Sequence, residues 1–166
     1  MSTRGSYSAA EWETLRRAPI MAGLFVMTGD RPNPFETFQE ALGINRGMTQ
    51  EPPEDARNEL TGALIADAKS GEEWPQPHLA REGEKLAPEE ARSRALQDAL
   101  DAIAIVARVS PGEVEGFRRY LYYVADVTAR AAREGGFLGI GGKQVSAGET
   151  AMLEELADSL GVTPQP

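Results

Sequence analysis

The chain of 166 residues carries 17 basic and 26 acidic side chains and a net charge of −9 at pH 7. This length suits one domain, and the negative field argues against nucleic acid or anionic lipid as a partner, because both are polyanions. The sequence has no cysteine and a single histidine, His78. These counts exclude disulfide frameworks, thiolate nucleophiles, Ser–His systems and paired-histidine zinc sites.

Four helix starts are predicted from a short polar residue followed three positions later by glutamate, a pattern that satisfies the free N–H groups of a first turn. Two of them also place proline at the first helical position, where its missing N–H costs nothing. The four pairs are Ser8 with Glu11, Asn33 with Glu36, Ser110 with Glu113, and Ser146 with Glu149. Together with apolar residues spaced three and four apart, they predict an all-α bundle of about six helices.

The first predicted helix spans residues 9–28 and is almost wholly apolar in its second half. Pro19 lies inside it, so we expect the helix to be kinked or split there. The apolar stretch 18–27 is about half of what a bilayer crossing requires, which favours a core helix and no membrane insertion. Residues 1–10 lack the basic and then apolar run of a secretion signal, which favours a cytoplasmic location.

Two shorter helices are predicted next. The second helix spans 34–42 and is expected to end at Gly43 and Gly47, since glycine is a frequent helix terminator. The third spans 53–69 and is expected to end before Gly71.

The fourth and fifth predicted helices span 88–109 and 111–134. The connection between them is so short that we expect them to pack as antiparallel neighbours. Three tyrosines of the fifth helix cannot all face one core, so at least one is expected at a surface. They are Tyr120, Tyr122 and Tyr123.

The sixth predicted helix spans 147–160, and Gly161 after it is expected to adopt a left-handed cap. The helices form two halves, 8–70 and 88–162, which the loop 71–87 joins into a single domain. Each half contains a unit, 30–43 and 142–161, that enters a helix through a capping box and ends in Leu-Gly. A weak two-fold internal repeat and chance both explain this likeness.

The segment between the fifth and sixth helices is rich in glycine, with five glycines among residues 135–142. Its apolar side chains would be costly to leave in water, so they either fold back onto the bundle or are displayed to a partner. A phosphate-binding loop is disfavoured because no strand precedes the segment and neither Ser nor Thr follows its lysine. The predicted partner-binding residues are Phe137, Leu138, Ile140 and Lys143.

Two resemblances are carried by named segments. Residues 142–162, which begin Gly-Lys-Gln-Val-Ser, continue through the predicted sixth helix and end in Leu-Gly-Val, resemble the repeating unit of tellurite-resistance (TerB-like) helical proteins. The chain also resembles a group of small bacterial helical proteins of uncharacterised function, through Ala18-Pro19 and the glycine-rich loop 134–142.

The TerB-like resemblance implies an all-helical pair of repeats, a part in stress responses, and acidic loop residues associated with a divalent metal. This chain carries glycine around Gly141 in place of the acidic residue of that family. The ligands that the resemblance implies are therefore confined to the first half, at Asp30 and Glu36.

The sequence favours a non-catalytic, soluble interaction or stress-associated module that acts through an apolar surface and the loop 135–142. Its expected partner is another protein or a second copy of itself, with no cofactor and no metal. A nucleophile, a base and an orienting group cannot be named together, which argues against an enzyme. The alternative is a weak divalent-ion or small-ligand binder of the TerB-like type, which would use Asp30 and Glu36.

Overall fold

The computed structural model describes residues 4–29, 34–71, 86–134 and 146–164, with the backbone alone at 34–40 and 132–134. Within these ranges the chain forms six α-helices and no β-strand, which confirms the predicted all-α bundle. The helices are α1 (Ala9–Met27), α2 (Pro34–Thr49), α3 (Glu59–Lys69), α4 (Pro88–Val109), α5 (Val114–Glu134) and α6 (Ala147–Leu160). Short 3₁₀ turns, Arg4–Ser6, Glu54–Ala56 and Pro111–Glu113, precede α1, α3 and α5.

Two of the predicted capping boxes form with the expected geometry. At the start of α1 the Ser8 N–H donates to the Glu11 carboxylate at 2.7 Å, and the Glu11 N–H donates to Ser8 Oγ at 3.3 Å. At the start of α6 Ser146 and Glu149 make the same two bonds, each 3.0 Å long. The side chains of the Asn33 and Glu36 pair lie outside the described residues, although α2 begins at Pro34 as predicted.

The predicted capping box of Ser110 and Glu113 is wrong. The Glu113 carboxylate accepts a hydrogen bond from the Leu60 N–H at 2.8 Å, and the Glu113 carbonyl accepts one from Asn58 Nδ2 at 2.9 Å. Ser110 Oγ instead accepts a hydrogen bond from the Tyr7 hydroxyl at 3.1 Å. Because a 3₁₀ turn precedes α5, Glu113 serves the first turn of α3 rather than that of its own helix.

The predicted end of α2 before Gly43 is also wrong, since the helix continues to Thr49. Gly43 and Gly47 lie inside α2 and face α5 at very short distances. A Cβ added at Gly43 would lie 2.7 Å from the Cβ of Ala131, and one added at Gly47 would lie 3.0 Å from the Cα of Val124. Glycine weakens an isolated helix, but here it permits a close helix–helix approach whose packing outweighs that cost.

The start of α3 differs from the prediction as well. Residues 54–56 form a 3₁₀ turn, and the α-helix begins only at Glu59. Asn58 caps it, because the Thr61 N–H donates to Asn58 Oδ1 at 2.8 Å and the Asn58 N–H donates to Thr61 Oγ1 at 3.0 Å. Threonine at the third helical position fills the role that glutamate has in the capping boxes of α1 and α6. The predicted end holds, since Gly71 follows α3 with a φ of 77°.

Helix α1 is central to the bundle, and it is not split at Pro19. Nearly every residue from Leu15 to Val26 is buried, and α1 packs against both α4 and α5. Each of these two helices packs more extensively on α1 than on the other. The predicted packing of α4 directly against α5 is therefore limited in extent. Both helices cover the apolar surface of α1, which is larger than the surface they share with each other.

One hydrophobic cluster draws on both predicted halves. Its largest fully buried side chains include Leu15, Phe25, Leu60, Phe117, Tyr120 and Leu156. The likeness between the two proposed repeat units is limited, because α2 runs through Leu42-Gly43 whereas α6 ends at Leu160. None of the helices in the described ranges combines the length and hydropathy needed to cross a bilayer.

Candidate functional site

A groove of about 310 Å³ lies along one face of α5, and we call it the α5 groove. Five of its lining residues are linked by steps of three or four residues along α5, so they share one helix face. They are Arg119, Tyr122, Tyr123, Asp126 and Arg130. The 3₁₀ turn Glu54–Ala56 and the segment after α6 complete the lining.

The segment after α6 is held by a left-handed cap, as predicted. Gly161 has a φ of 67°, and the Val162 N–H donates to the Ala157 carbonyl at 3.0 Å. Reversal of the chain at Gly161 buries Val162 and leaves Thr163 exposed, with both residues in the lining of the α5 groove. Its left-handed conformation requires glycine, since a side chain there would strain the backbone.

Two groups of ion pairs organise the charged side chains of the groove. The Arg119 guanidinium lies 2.8 Å from the Asp55 carboxylate and 2.8 Å from that of Glu115, which ties α5 to the 3₁₀ turn before α3. The Arg130 guanidinium lies 2.9 Å from the Asp126 carboxylate one helical turn away. The Arg130 side chain is 63% exposed and that of Asp126 is 24% exposed, so this second pair is the more open to solvent.

The tyrosines of α5 divide between core and groove, as the sequence predicts. Tyr120 is fully buried, and its hydroxyl donates to the Met48 carbonyl at 3.4 Å. Tyr122 and Tyr123 are half-buried and line the groove. Neither of these two hydroxyls makes a hydrogen bond within the described part of the chain.

The pKa values of the two groove tyrosines are raised by burial and by nearby carboxylates. Burial raises the pKa of Tyr122, and the nearby carboxylates of Asp126 and Glu154 raise it further against the opposing charge of Arg130. Burial and Asp126 also raise the pKa of Tyr123. Both side chains therefore stay protonated, and they act as neutral hydrogen-bond donors near neutral pH.

The site residues predicted from the sequence lie mostly outside the described residues. This holds for Phe137, Leu138, Ile140 and Lys143, and also for His78 and Asp30. Glu36 lies in α2, but its side chain is likewise outside the description. The α5 groove is not among the predicted sites; its signal in the sequence is the regular spacing of arginine, tyrosine and aspartate on the predicted fifth helix.

The described residues contain no group of three or more histidine, aspartate or glutamate side chains placed to hold a metal ion. The groove carboxylates Asp55 and Asp126 are each ion-paired with an arginine instead. The arrangement therefore suits recognition of a ligand by hydrogen bonds, ring faces and exchangeable ion pairs.

No protein-family model, curated protein or solved structure matches this chain. The resemblance to the TerB-like proteins and to the small bacterial helical proteins stays a prediction from the sequence.

Proposed function

We propose that this chain is a non-catalytic protein-interaction module that receives its partner in the α5 groove. The observation that carries the proposal is the pair of half-buried tyrosines, Tyr122 and Tyr123, between Arg119 and Arg130 on one helix face. Tyrosine and arginine dominate the energetic centres of protein interfaces, because each combines a large contact area with directional hydrogen bonding.

The rigidity of the groove supports this proposal. The opposite side of α5 is fixed in the core by Phe117, Leu121 and Val124, none of which is exposed. Arg119 is held by carboxylates on two different elements. A surface that is already ordered loses little conformational entropy when a partner binds, and this favours affinity.

The glycine-rich loop is proposed as a second contact with the partner. It follows α5 directly in the sequence, and it places Phe137, Leu138 and Ile140 among glycines, with Lys143 after them. Apolar side chains in such a setting favour docking against another protein or a second copy of the chain. A cytoplasmic location and an association with stress responses are part of the same proposal, on the strength of the sequence alone.

The proposal is tested by co-purification of partners with the tagged full chain. Thr163→Arg places a long side chain at the exposed edge of the groove, and Tyr122→Ala combined with Tyr123→Ala removes the rings. Both variants should lose the partner that the wild type retains. Leu42→Ala, which alters a 47% exposed side chain on α2, is the matched control and should keep it.

Thermal unfolding by circular dichroism accompanies each variant. Thr163→Arg should unfold close to the wild-type temperature, because Thr163 is exposed. Retention of the partner by a folded Thr163→Arg variant would contradict the proposal. Phe137→Ala with Ile140→Ala tests the loop separately: loss of the partner with little change in melting temperature supports display of the loop, and strong destabilisation with the partner retained supports a core cap.

A small-ligand function is the second candidate, because the volume of the groove lies at the lower end of the range for small-molecule sites, about 300–1,000 Å³. Divalent-ion binding through Asp30 and Glu36 belongs to the same candidate. Calorimetric titration with calcium, magnesium and zinc tests the ion, and a flat trace at millimolar ion would end that version.

A further inference from the structure

The α5 groove is lined by two carboxylates and two guanidinium groups, and further charged side chains lie around it. Asp55 and Asp126 belong to its lining, Glu115 adjoins it through its pair with Arg119, and Glu154 acts on Tyr122 from α6. The opposing cations are Arg119, Arg130 and Arg118, the last of which approaches Gly161. Among these described side chains four carboxylates face three guanidinium groups, and the whole chain has a net charge of −9.

The end of α6 adds to this negative potential. Helix α6 ends at Leu160, and the next turn of chain forms one edge of the groove through Val162 and Thr163. The carboxyl end of a helix carries a partial negative charge, because its last carbonyl groups lack partners within the helix. A cation that approaches this edge is therefore attracted by the helix as well as by side chains.

The chain's own Arg130 supplies the cation that pairs with Asp126 in the α5 groove. Its guanidinium contacts Asp126, which lies on the same face of α5 as Tyr122 and Tyr123. An exposed pair of this kind, four residues apart on one helix, contributes little free energy. A cation from another molecule can therefore replace Arg130 beside Asp126 at small cost, and the faces of neutral tyrosine rings attract cations as well.

We infer that the partner of the α5 groove is a basic protein segment, one of whose lysine or arginine side chains replaces Arg130 beside Asp126 and the two tyrosines. This inference rests on the proposed function and names the chemistry of its partner. An acidic segment would face the carboxylates of the groove and the field of the whole chain. In such a site, repulsion of an acidic segment and attraction of a basic segment both contribute to specificity.

The test is a titration of the isotopically labelled full chain, observed through the amide resonances of α5. One probe is a short capped peptide of alternating glycine and lysine, and its counterpart has glutamate in place of lysine. The lysine peptide should shift the resonances of Tyr122, Tyr123 and Asp126, and its affinity should fall as salt is added. The glutamate peptide should leave these resonances unchanged.

Two variants make the test specific. Asp126→Asn should weaken binding of the lysine peptide about two- to fivefold, and Arg130→Gln should strengthen it about twofold because the internal cation is gone. The matched controls carry the same charge changes elsewhere. Asp98→Asn alters a carboxylate that pairs with Arg17, and Arg108→Gln alters a 64% exposed arginine that pairs with Glu11. Both controls should bind the peptide with nearly wild-type affinity.

The outcomes separate this inference from the proposed function. Equal or tighter binding of the glutamate peptide, or an Asp126→Asn variant with unchanged affinity for the lysine peptide, would overturn the inference. Absence of peptide binding together with a partner that is lost in Thr163→Arg would also overturn it, while the proposed function stands. A partner that survives Thr163→Arg overturns both.

Discussion

At the scale of single residues, Gly43 and Gly47 are packing residues of α2. Their missing side chains allow the backbone of α2 to lie almost against Val124, Thr128 and Ala131 of α5. The distances from an added Cβ to backbone atoms are shorter than a methyl group accepts, and backbone atoms cannot rotate away. These two glycines therefore set the separation of the two helices.

Replacement of Gly43 by alanine should destabilise the protein by about 1–3 kcal/mol, because the added methyl group forces α2 away from α5. Gly62→Ala is the matched control. Gly62 lies inside α3, and a Cβ there would have no neighbour within 4 Å. Gly62→Ala should stabilise the protein by about 0.5–1 kcal/mol, because alanine has a higher helix propensity than glycine. Urea unfolding measures both, and equal effects of the two substitutions would contradict the packing role of Gly43.

Glu11 is a second residue whose environment has a measurable consequence. Hydrogen bonds from the backbone N–H and the side chain of Ser8, followed by one from Arg108, hold the pKa of Glu11 at about 2, below its ordinary value of 4.5. A carboxyl group with a lowered pKa in the folded state stabilises that state while it is ionised. The contribution is complete above pH 4.5, and it is lost as the pH falls toward 2.

The free energy of unfolding should therefore decrease between pH 5 and pH 2, in part because Glu11 takes up a proton. Glu11→Gln should lower the stability at neutral pH and make the decrease shallower than in the wild type. Glu89→Gln is the control, since Glu89 is an exposed residue of the first turn of α4. Thermal melts at a series of pH values provide the measurement, and identical slopes for the wild type and Glu11→Gln would refute this role.

At the scale of elements, α1 and α3 are joined by a polar cluster at the edge of the core. The Trp12 indole N–H donates to Asp67 Oδ2 at 3.0 Å, and Arg16 Nε lies 3.1 Å from the same oxygen. Arg16 is only 8% exposed, so its charge is largely removed from water. Asp67 therefore compensates a buried cation and fixes the position of α3 against α1.

Asp67→Asn should destabilise the protein by about 2 kcal/mol, because it removes the buried carboxylate that pairs with Arg16, while the more exposed Glu13 carboxylate, 3.3 Å from the guanidinium, remains. Asp98→Asn is the matched control, since Asp98 and Arg17 form a half-exposed pair, with exposed fractions of 34% and 39%, between α4 and α1. Such pairs contribute at most about 1 kcal/mol. Chemical denaturation compares the two, and a small loss in both variants would show that the Asp67 cluster contributes little.

Element boundaries show where local sequence suffices for prediction. The caps of Ser8 and Ser146 were predictable, because donor and acceptor lie three residues apart and need no other part of the chain. The predicted role of Glu113 was wrong, because its carboxylate accepts a hydrogen bond from the N–H of Leu60, 53 residues away. The predicted end of α2 was wrong for a similar reason. Gly43 packs against α5, a distant part of the chain, and does not terminate the helix.

At the scale of the whole molecule, the same limit applies to the candidate site. The spacing of arginines, tyrosines and aspartate on α5 is local and visible in the sequence. The groove also requires the 3₁₀ turn Glu54–Ala56 and the cap after α6, which come from distant parts of the chain. Helical periodicity predicts which residues share a face, but it does not predict which other segments border that face.

The two predicted halves are interleaved in the structure. Helix α1 of the first half packs on α4 and α5 of the second, and α2 packs mainly on α5. Because each half covers the apolar surface of the other, neither can lose its structure without exposing the core of both. A division of the chain in the loop 71–87 should therefore yield fragments that do not fold alone.

Unfolding should accordingly be a single transition for both halves. In a Trp74→Phe variant, tryptophan fluorescence reports on Trp12 alone, which lies in the first half. The NMR resonances of Tyr120 report on α5, which lies in the second half. The two midpoints in urea should coincide with each other and with the loss of helical circular dichroism. Asp67→Asn should then lower both midpoints equally, although Tyr120 lies on another helix. If Asp67→Asn lowered the Trp12 midpoint and left that of Tyr120 in place, residues 8–70 and 88–162 would be separate cooperative units that share only an interface.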